Sequence, residues 1–243
     1  MPDTDPLPIL VQAEGWLAID KPAGLATVPA RPTGNEGPIG PNVVDRLSRQ
    51  LGTKVLPVHR LDQITCGVLV VATDPVLHSR LSGQFATRQV RKEYLARLAL
   101  PLPQAEGTVT GWIAGGRKGS LRFYANEADI PETKRAEAKR AETAYERLGG
   151  SDSRWVLVRP HEGRRHQIRL ALASIGCALE HDLPYYPLAK LRTSPELRHV
   201  YEVKRTDQVP ALCAWRLWLP EYHEGRDPIE SEQGRRLRAE IAS

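Results

Sequence analysis

The 243-residue chain is poor in cysteine and lacks any long apolar run. Its 3 cysteines, Cys66, Cys177 and Cys213, stand far apart and form neither a disulfide framework nor a CxxC metal-ligand pair. A reduced, cytoplasmic protein is the expectation. No stretch approaches the length that spans a bilayer, and the start MPDTDPLP, acidic and proline-rich, is unlike a signal peptide. A membrane is therefore not an expected partner. What remains is ordinary globular composition, 41% hydrophobic and 26% charged, enough to bury one substantial core or one large and one small unit. The net charge of +5 and pI near 9.2 are compatible with a polyanionic partner without identifying one.

Residues 1–15 read as a weakly ordered lead. Trp16-Leu17-Ala18-Ile19 alternates towards a strand, which Asp20-Lys21-Pro22-Ala23-Gly24 breaks with a tight turn. Arg31 to Pro41 is a glycine- and proline-rich loop. Val43, Val44, Leu47 and Leu51 recur at helical spacing and stop at Gly52. Thr73-Asp74-Pro75 is a helix start, and Val76, Leu77, Leu81 and Phe85 carry that helix to about Thr87. Residues 90–100 alternate as a strand with Val90, Lys92, Tyr94, Ala96 and Leu98 on one face. Strand-like pieces at Thr108–Ile113 and Leu121–Tyr124 flank a basic glycine-rich loop with Arg117 and Lys118, either a phosphate contact or a solvated hairpin tip. Residues 126–140 are highly charged and prefer helix, and a basic excursion is the alternative. A strand is expected from about Ala141, with a partner at Trp155–Val158. Ile168, Ala171, Leu172 and Ile175 make an apolar helical face ended by Gly176, with Arg164, Arg165 and His166 in its first turn and Arg169 one turn later. Cations there oppose the helix dipole, as an anion-receiving end would, or else form a solvated basic face.

The most informative stretch is Val58 to Thr73, VHRLDQITCGVLVVAT. Its second half is a valine-rich apolar run and reads as a buried strand. Its first half places His59, Arg60 and Asp62 on the loop that feeds that strand, where chemistry is commonly carried. An acid beside an arginine stays ionised and can serve as nucleophile or base. The plain alternative is a solvated Arg60–Asp62 pair.

His59-Arg60-Leu61-Asp62-Gln63-Ile64-Thr65-Cys66-Gly67 resembles the H-R-L-D-x-x-T-x-G motif of the RluA-type family of RNA pseudouridine synthases, with Cys66 where the family usually has serine. Asp20-Lys21-Pro22-Ala23-Gly24-Leu25 is similar to the family's D-K-P-x-G-L, Lys92-Glu93-Tyr94 to its K-x-Y, and Ala141-Glu142-Thr143-Ala144-Tyr145 to its A-x-T-x-Y strand. Gly163-Arg164-Arg165-His166-Gln167-Ile168-Arg169 matches its G-R-x-H-Q-I-R. Downstream the pattern G-H-P-I-x-G-D-x-x-Y-G is loosened: His-Pro becomes Cys177-Ala178, and two glycines become His181 and Tyr186. A weaker match ends at Leu212-Cys213-Ala214-Trp215-Arg216-Leu217, with Cys213 where the family commonly has histidine.

The resemblance implies a pseudouridine-synthase fold: one α/β domain of α+β type over residues 16–220, with a long, mostly antiparallel mixed sheet, flanking helices and a central RNA cleft. Residues 221–243 would be a charged tail or short terminal helix, with no appended RNA-binding domain ahead of Trp16. It implies isomerisation of uridine to pseudouridine in 23S ribosomal or transfer RNA, with no cofactor and no metal. Asp62 would act at the sugar, Tyr94 would stack on the base, and Arg169 would pair with the acid. Arg60 would fill the space left by the flipped base, and Lys92, Arg164, Arg165, His166 and Gln167 would bind RNA. RNA is the expected partner, DNA is not, and a monomer is expected. Two rivals are a catalytically inactive RNA-binding protein and a glycoside-type hydrolase taking its second acid from Glu162, Glu180 or Asp182. A metal site through His161, His166 and His181 matches no standard ligand spacing.

Overall fold

The computed structural model describes residues 5–29, 40–116, 121–185 and 211–242. Arg117, Lys118 and Tyr186 lie outside the described residues. The chain forms two compact units, Met1–Lys92 with Leu212–Glu240, and Glu93–Ala211 with Ile241–Ser243. The fold is mixed α/β, strand-rich with few helices, as the sequence implies.

The first unit is organised on two strands buried on both faces, β2 (Trp16–Lys21) and β4 (Cys66–Ala72). β2 pairs antiparallel with β4 on one side and with β1 (Ile9–Ala13) on the other. β4 in turn pairs parallel with β10 (Leu212–Trp218), which carries the short β11 (Ile229–Glu230). The two-residue β3 (Leu56–Pro57) pairs with the C-terminal end of β4. Trp16, Ala18, Val68, Val70, Leu217 and Ile229 share one core, against which α2 (Pro75–Ala86) buries Leu81. The expected caps are present. Asp74 accepts the Leu77 N–H at 2.8 Å with Pro75 behind it, and α1 (Val43–Leu51) ends at Gly52 in the left-handed conformation.

Gly67 is required by the β4–β10 contact. Its φ is 105°, and a Cβ there would fall 2.2 Å from the Ala214 carbonyl oxygen. Only glycine allows the parallel register Cys213↔Cys66 and Ala214↔Gly67.

The second unit is an antiparallel sheet in the order β5 (Arg91–Arg97), β9 (Trp155–Pro160), β8 (Lys139–Leu148), β6 (Glu106–Gly115), β7 (Leu121–Tyr124). The helix α4 (Gln167–Ser174) lies on this sheet, packing Leu170 against Ile113 and Ala141.

Several expectations need correction. The lead contains β1, because Ile9–Ala13 completes an edge beside β2. β2 runs through Asp20 and Lys21, so the tight turn follows them. Of the charged stretch 126–140, only a 3-10 turn at Glu127–Asp129 and the one-turn α3 (Glu132–Arg135) are helical; β8 begins at Lys139, where pairing with β6 overrides helix preference. Of the two expectations for residues 221–243 the terminal helix is the one found, α5 (Glu232–Ala242) with Leu237 buried, and the addition is the short strand β11 ahead of it. Arg164, Arg165 and His166 precede α4 and do not form its first turn, because His166 sits at φ 57° and cannot continue a helix.

Candidate active site

In the first unit the site is built around Asp62. The acid opens a tight turn in which its carbonyl accepts the Thr65 N–H at 3.0 Å. The residues on either side of it are clamped from distant parts of the chain. Thr27 Oγ1 donates to the Leu61 carbonyl at 2.9 Å and accepts the Leu61 N–H at 3.1 Å, all of it buried. The Gln63 carbonyl accepts the Gly24 N–H at 2.8 Å, and Gln63 Nε2 donates to the Gly24 carbonyl at 2.9 Å. The turn Pro22–Leu25 and the Asp62 turn are thus stitched into one piece, with the half-buried Asp62 side chain between the two clamps.

Lys21 stands beneath this piece. It is fully buried, and Nζ donates to the carbonyls of Leu25 at 2.7 Å, Pro22 at 2.9 Å and Gln63 at 3.4 Å. Burial brings its pKa down to about 8, against the opposing pull of Cys66 and the Asp62 carboxylate. Three carbonyl dipoles stand in for the lost water. Asp20, next to it and also buried, accepts from Ser231 Oγ at 2.8 Å and from Gln233 through Nε2 at 3.0 Å and the backbone N–H at 3.2 Å. The start of α5 is therefore fastened to the same strand end.

His59 anchors the other end of the loop. Its Nε2 accepts the Val70 N–H at 3.0 Å, and its ring stacks on Phe85 at 4.3 Å. Burial and the nearby Lys92 ammonium lower its pKa to about 3, so Nε2 is a neutral acceptor and the proton sits on Nδ1. Arg60 is exposed beside Asp62. Cys66 starts β4 with its thiol directed to the Leu212 carbonyl at 3.7 Å, and its hydrogen bond with Cys213, then burial, push its pKa up. It is a packing residue.

The second unit holds the other predicted residues. Tyr94 is half-buried on β5, opposite Val158. Arg169, 7% exposed, makes a bidentate pair with Asp182: Nε to Oδ2 at 2.8 Å and Nη2 to Oδ1 at 2.7 Å. The Tyr185 ring lies under the guanidinium at 4.8 Å, and its hydroxyl bonds His166 Nδ1. Arg164 and Arg165 are exposed. Gln167 differs from its expected role. It is buried, its amide nitrogen donates to the Glu142 carbonyl at 2.9 Å and Thr143 Oγ1 at 3.2 Å, and its oxygen accepts the Arg164 N–H at 3.0 Å. It shapes the loop before α4 instead of offering a side chain to RNA.

The acids considered for a hydrolase have structural partners. Glu162 accepts the Glu142 N–H at 2.7 Å, Glu180 bridges Arg154 at 2.9 Å and Arg97 at 3.2 Å, and Asp182 holds Arg169. Among the described residues no cluster of three or more histidine, cysteine or acidic side chains could hold a metal ion. Sequence reading missed Thr27, the part played by Lys21, and the pairing of Asp182 with Arg169, the acid having been weighed only for a hydrolase. The lysine and the threonine act 34 to 42 residues away in the chain, and only the D-K-P-x-G-L similarity marked Lys21 at all.

The family model for RNA pseudouridylate synthase matches residues 15–174. The chain belongs to this family. The dual-specificity RNA pseudouridine synthase RluA of Yersinia pestis is 30% identical over 200 residues, covering 80% of this chain and 90% of the relative. The mitochondrial tRNA pseudouridine(32) synthase of Saccharomyces cerevisiae is 29% identical over 182 residues, covering 74% of this chain and 37% of the relative. Among solved structures, human RNA pseudouridylate synthase domain containing 1 superposes with a TM-score of 0.65 at 19% identity, covering 100% of this chain and 97% of that one. This last likeness speaks to the fold. The chain is an RNA pseudouridine synthase, an isomerase whose partner is RNA.

Proposed function

We propose that Asp62 is the carboxylate that acts at the ribose of a target uridine in 23S ribosomal or transfer RNA. The observation that supports it is the double clamp: Leu61 is held by Thr27 and Gln63 by Gly24 and Lys21, so the acid between them is fixed in place. A carboxylate held ready needs little reorganisation when the reaction begins. The glycosidic bond from N1 breaks, the base turns, and carbon 5 bonds to the ribose. The proton on carbon 5 is lost and N1 gains one, so the product is an isomer. Tyr94 is the platform for the freed base. Arg169 is the counter-charge of the acid, and Arg60 fills the gap left when the base leaves its stack. Lys92, Arg164, Arg165 and His166 contribute to RNA binding, the exposed arginines through phosphates.

Asp62→Asn tests the reading. Pseudouridine formation should vanish while melting temperature and RNA affinity stay close to the parent. Activity within about tenfold of the parent would remove Asp62 from the chemistry. Mapping pseudouridines in ribosomal and transfer RNA from cells with and without the gene identifies the target class.

A further inference from the structure

We infer that Asp182 is a positioning residue for the isomerisation, acting through Arg169: its bidentate grip, with the Tyr185 ring below, fixes the plane in which the guanidinium is presented. The inference rests on the reading of Arg169 as the counter-charge of the catalytic acid.

The Asp182 side chain is 1% exposed and that of Arg169 9%, and both carboxylate oxygens bond this one guanidinium. A buried ion pair is a poor way to gain stability, since apolar residues of similar volume serve as well or better. It does fix geometry. A planar fork bound at Nε and Nη2 cannot swivel about its last bond. The Tyr185 ring closes one face of the plane, and its hydroxyl is tied to His166, whose own backbone is held in the left-handed conformation.

The backbone that carries Asp182 is equally constrained. Ala99 N–H donates to the Ala178 carbonyl at 3.0 Å, and Glu180 N–H donates to the Arg97 carbonyl at 2.9 Å. The Glu180 carboxylate is pinned by Arg97 and Arg154. His181 then turns at φ 62°, a conformation unfavourable for a residue with a side chain, and so aims Asp182 at α4. Three successive residues, one paired, one strained and one bidentate, are more than a surface connection requires.

Single-turnover kinetics with enzyme in excess test this, using total RNA from cells lacking the gene as substrate. The readouts are the rate constant at saturating enzyme and the half-saturating concentration. A misplacement of about an ångström costs roughly a hundredfold in rate, so Asp182→Asn should lower the saturating rate constant by about that factor and leave the half-saturating concentration within about threefold. Asp182→Glu keeps the charge but lengthens the arm, and should fail similarly. Tyr185→Leu leaves both charges in place and probes the same alignment should the Asp182 variants not fold, which thermal melts report. In an Arg169→Lys background, which has no fork to grip, each further substitution should cost less than about threefold. Near-parental rates for folded variants at Asp182 and Tyr185, beside a crippled Arg169→Lys, would overturn the positioning role alone. Effects that multiply fully in the Arg169→Lys background would also overturn it. An Arg169→Lys protein with parental rate would instead overturn the role given to Arg169, and the positioning role with it.

Discussion

Thr27 Oγ1 makes two hydrogen bonds to a single residue, donating to the carbonyl of Leu61 and accepting its N–H. One hydroxyl thus satisfies both backbone groups of the residue before Asp62. The arrangement is buried, so no water replaces it readily.

Thr27→Val keeps the volume and deletes the hydroxyl. Two buried backbone groups lose their partner, a loss of about 2–6 kcal/mol at about 1–3 per group. Urea unfolding measures that. The saturating single-turnover rate should also fall, by about tenfold or more, because the acid is no longer held from its N-terminal side.

Gly67→Ala should be damaging as well. The new methyl would fall on the Ala214 carbonyl, and the backbone at φ 105° is hostile to any side chain. Strain and overpacking together predict a loss of about 3–5 kcal/mol, read as a large drop in melting temperature or in soluble yield.

Much of this architecture was legible in the sequence because it is local. The valine run of β4, the Asp74-Pro75 start of α2 and the Gly52 stop of α1 are each signalled within a few residues. The clamps were not, because Thr27 and Leu61 are 34 residues apart and Lys21 and Gln63 are 42 apart. Periodicity does not see such distances. β1 was missed because an edge strand is defined by its partner, and the prolines and acids just before it, up to Pro8, read as a lead. The Arg169–Asp182 pair spans only 13 residues, yet no pattern rule joins a helix arginine to an acid in the loop that follows.

Lys21 gives a pH signature. Its pKa is about 8 when folded and near 10.5 when unfolded, so between those values the unfolded chain binds the extra proton. Stability from this group is absent below pH 8, rises through the window and is complete above 10.5, at a slope approaching about 1.4 kcal/mol per pH unit. Cys66 opposes it, because its raised pKa makes the folded state hold a proton that the unfolded state releases. Lys21→Met removes only the rising contribution. Its stability relative to the parent should therefore decline from pH 8 to pH 10.5 in paired urea titrations.

His59 acts at the other end of the scale. Its folded pKa of about 3 lies below the ordinary 6.5, so its contribution is complete above pH 6.5 and is lost as pH falls towards 3. In proton NMR its imidazole should remain neutral at pH 5, where exposed histidines are charged. His59→Gln, which can still accept the Val70 N–H, should flatten this part of the acid unfolding curve.

The bond from Ser231 to Asp20 spans 211 positions of the chain. Until Ser231 and Gln233 have been made, the buried Asp20 carboxylate lacks these donors, and β4 lacks β10 until residue 218 is in place. Long-range closure of this kind is slow and comes late in folding. A chain growing from its N-terminus therefore carries all of the Asp62 turn long before it can complete the sheet beneath it. The floor under the Asp62 turn is thus closed by strand β10 and by Ser231 and Gln233, which lie more than 140 positions further along the chain.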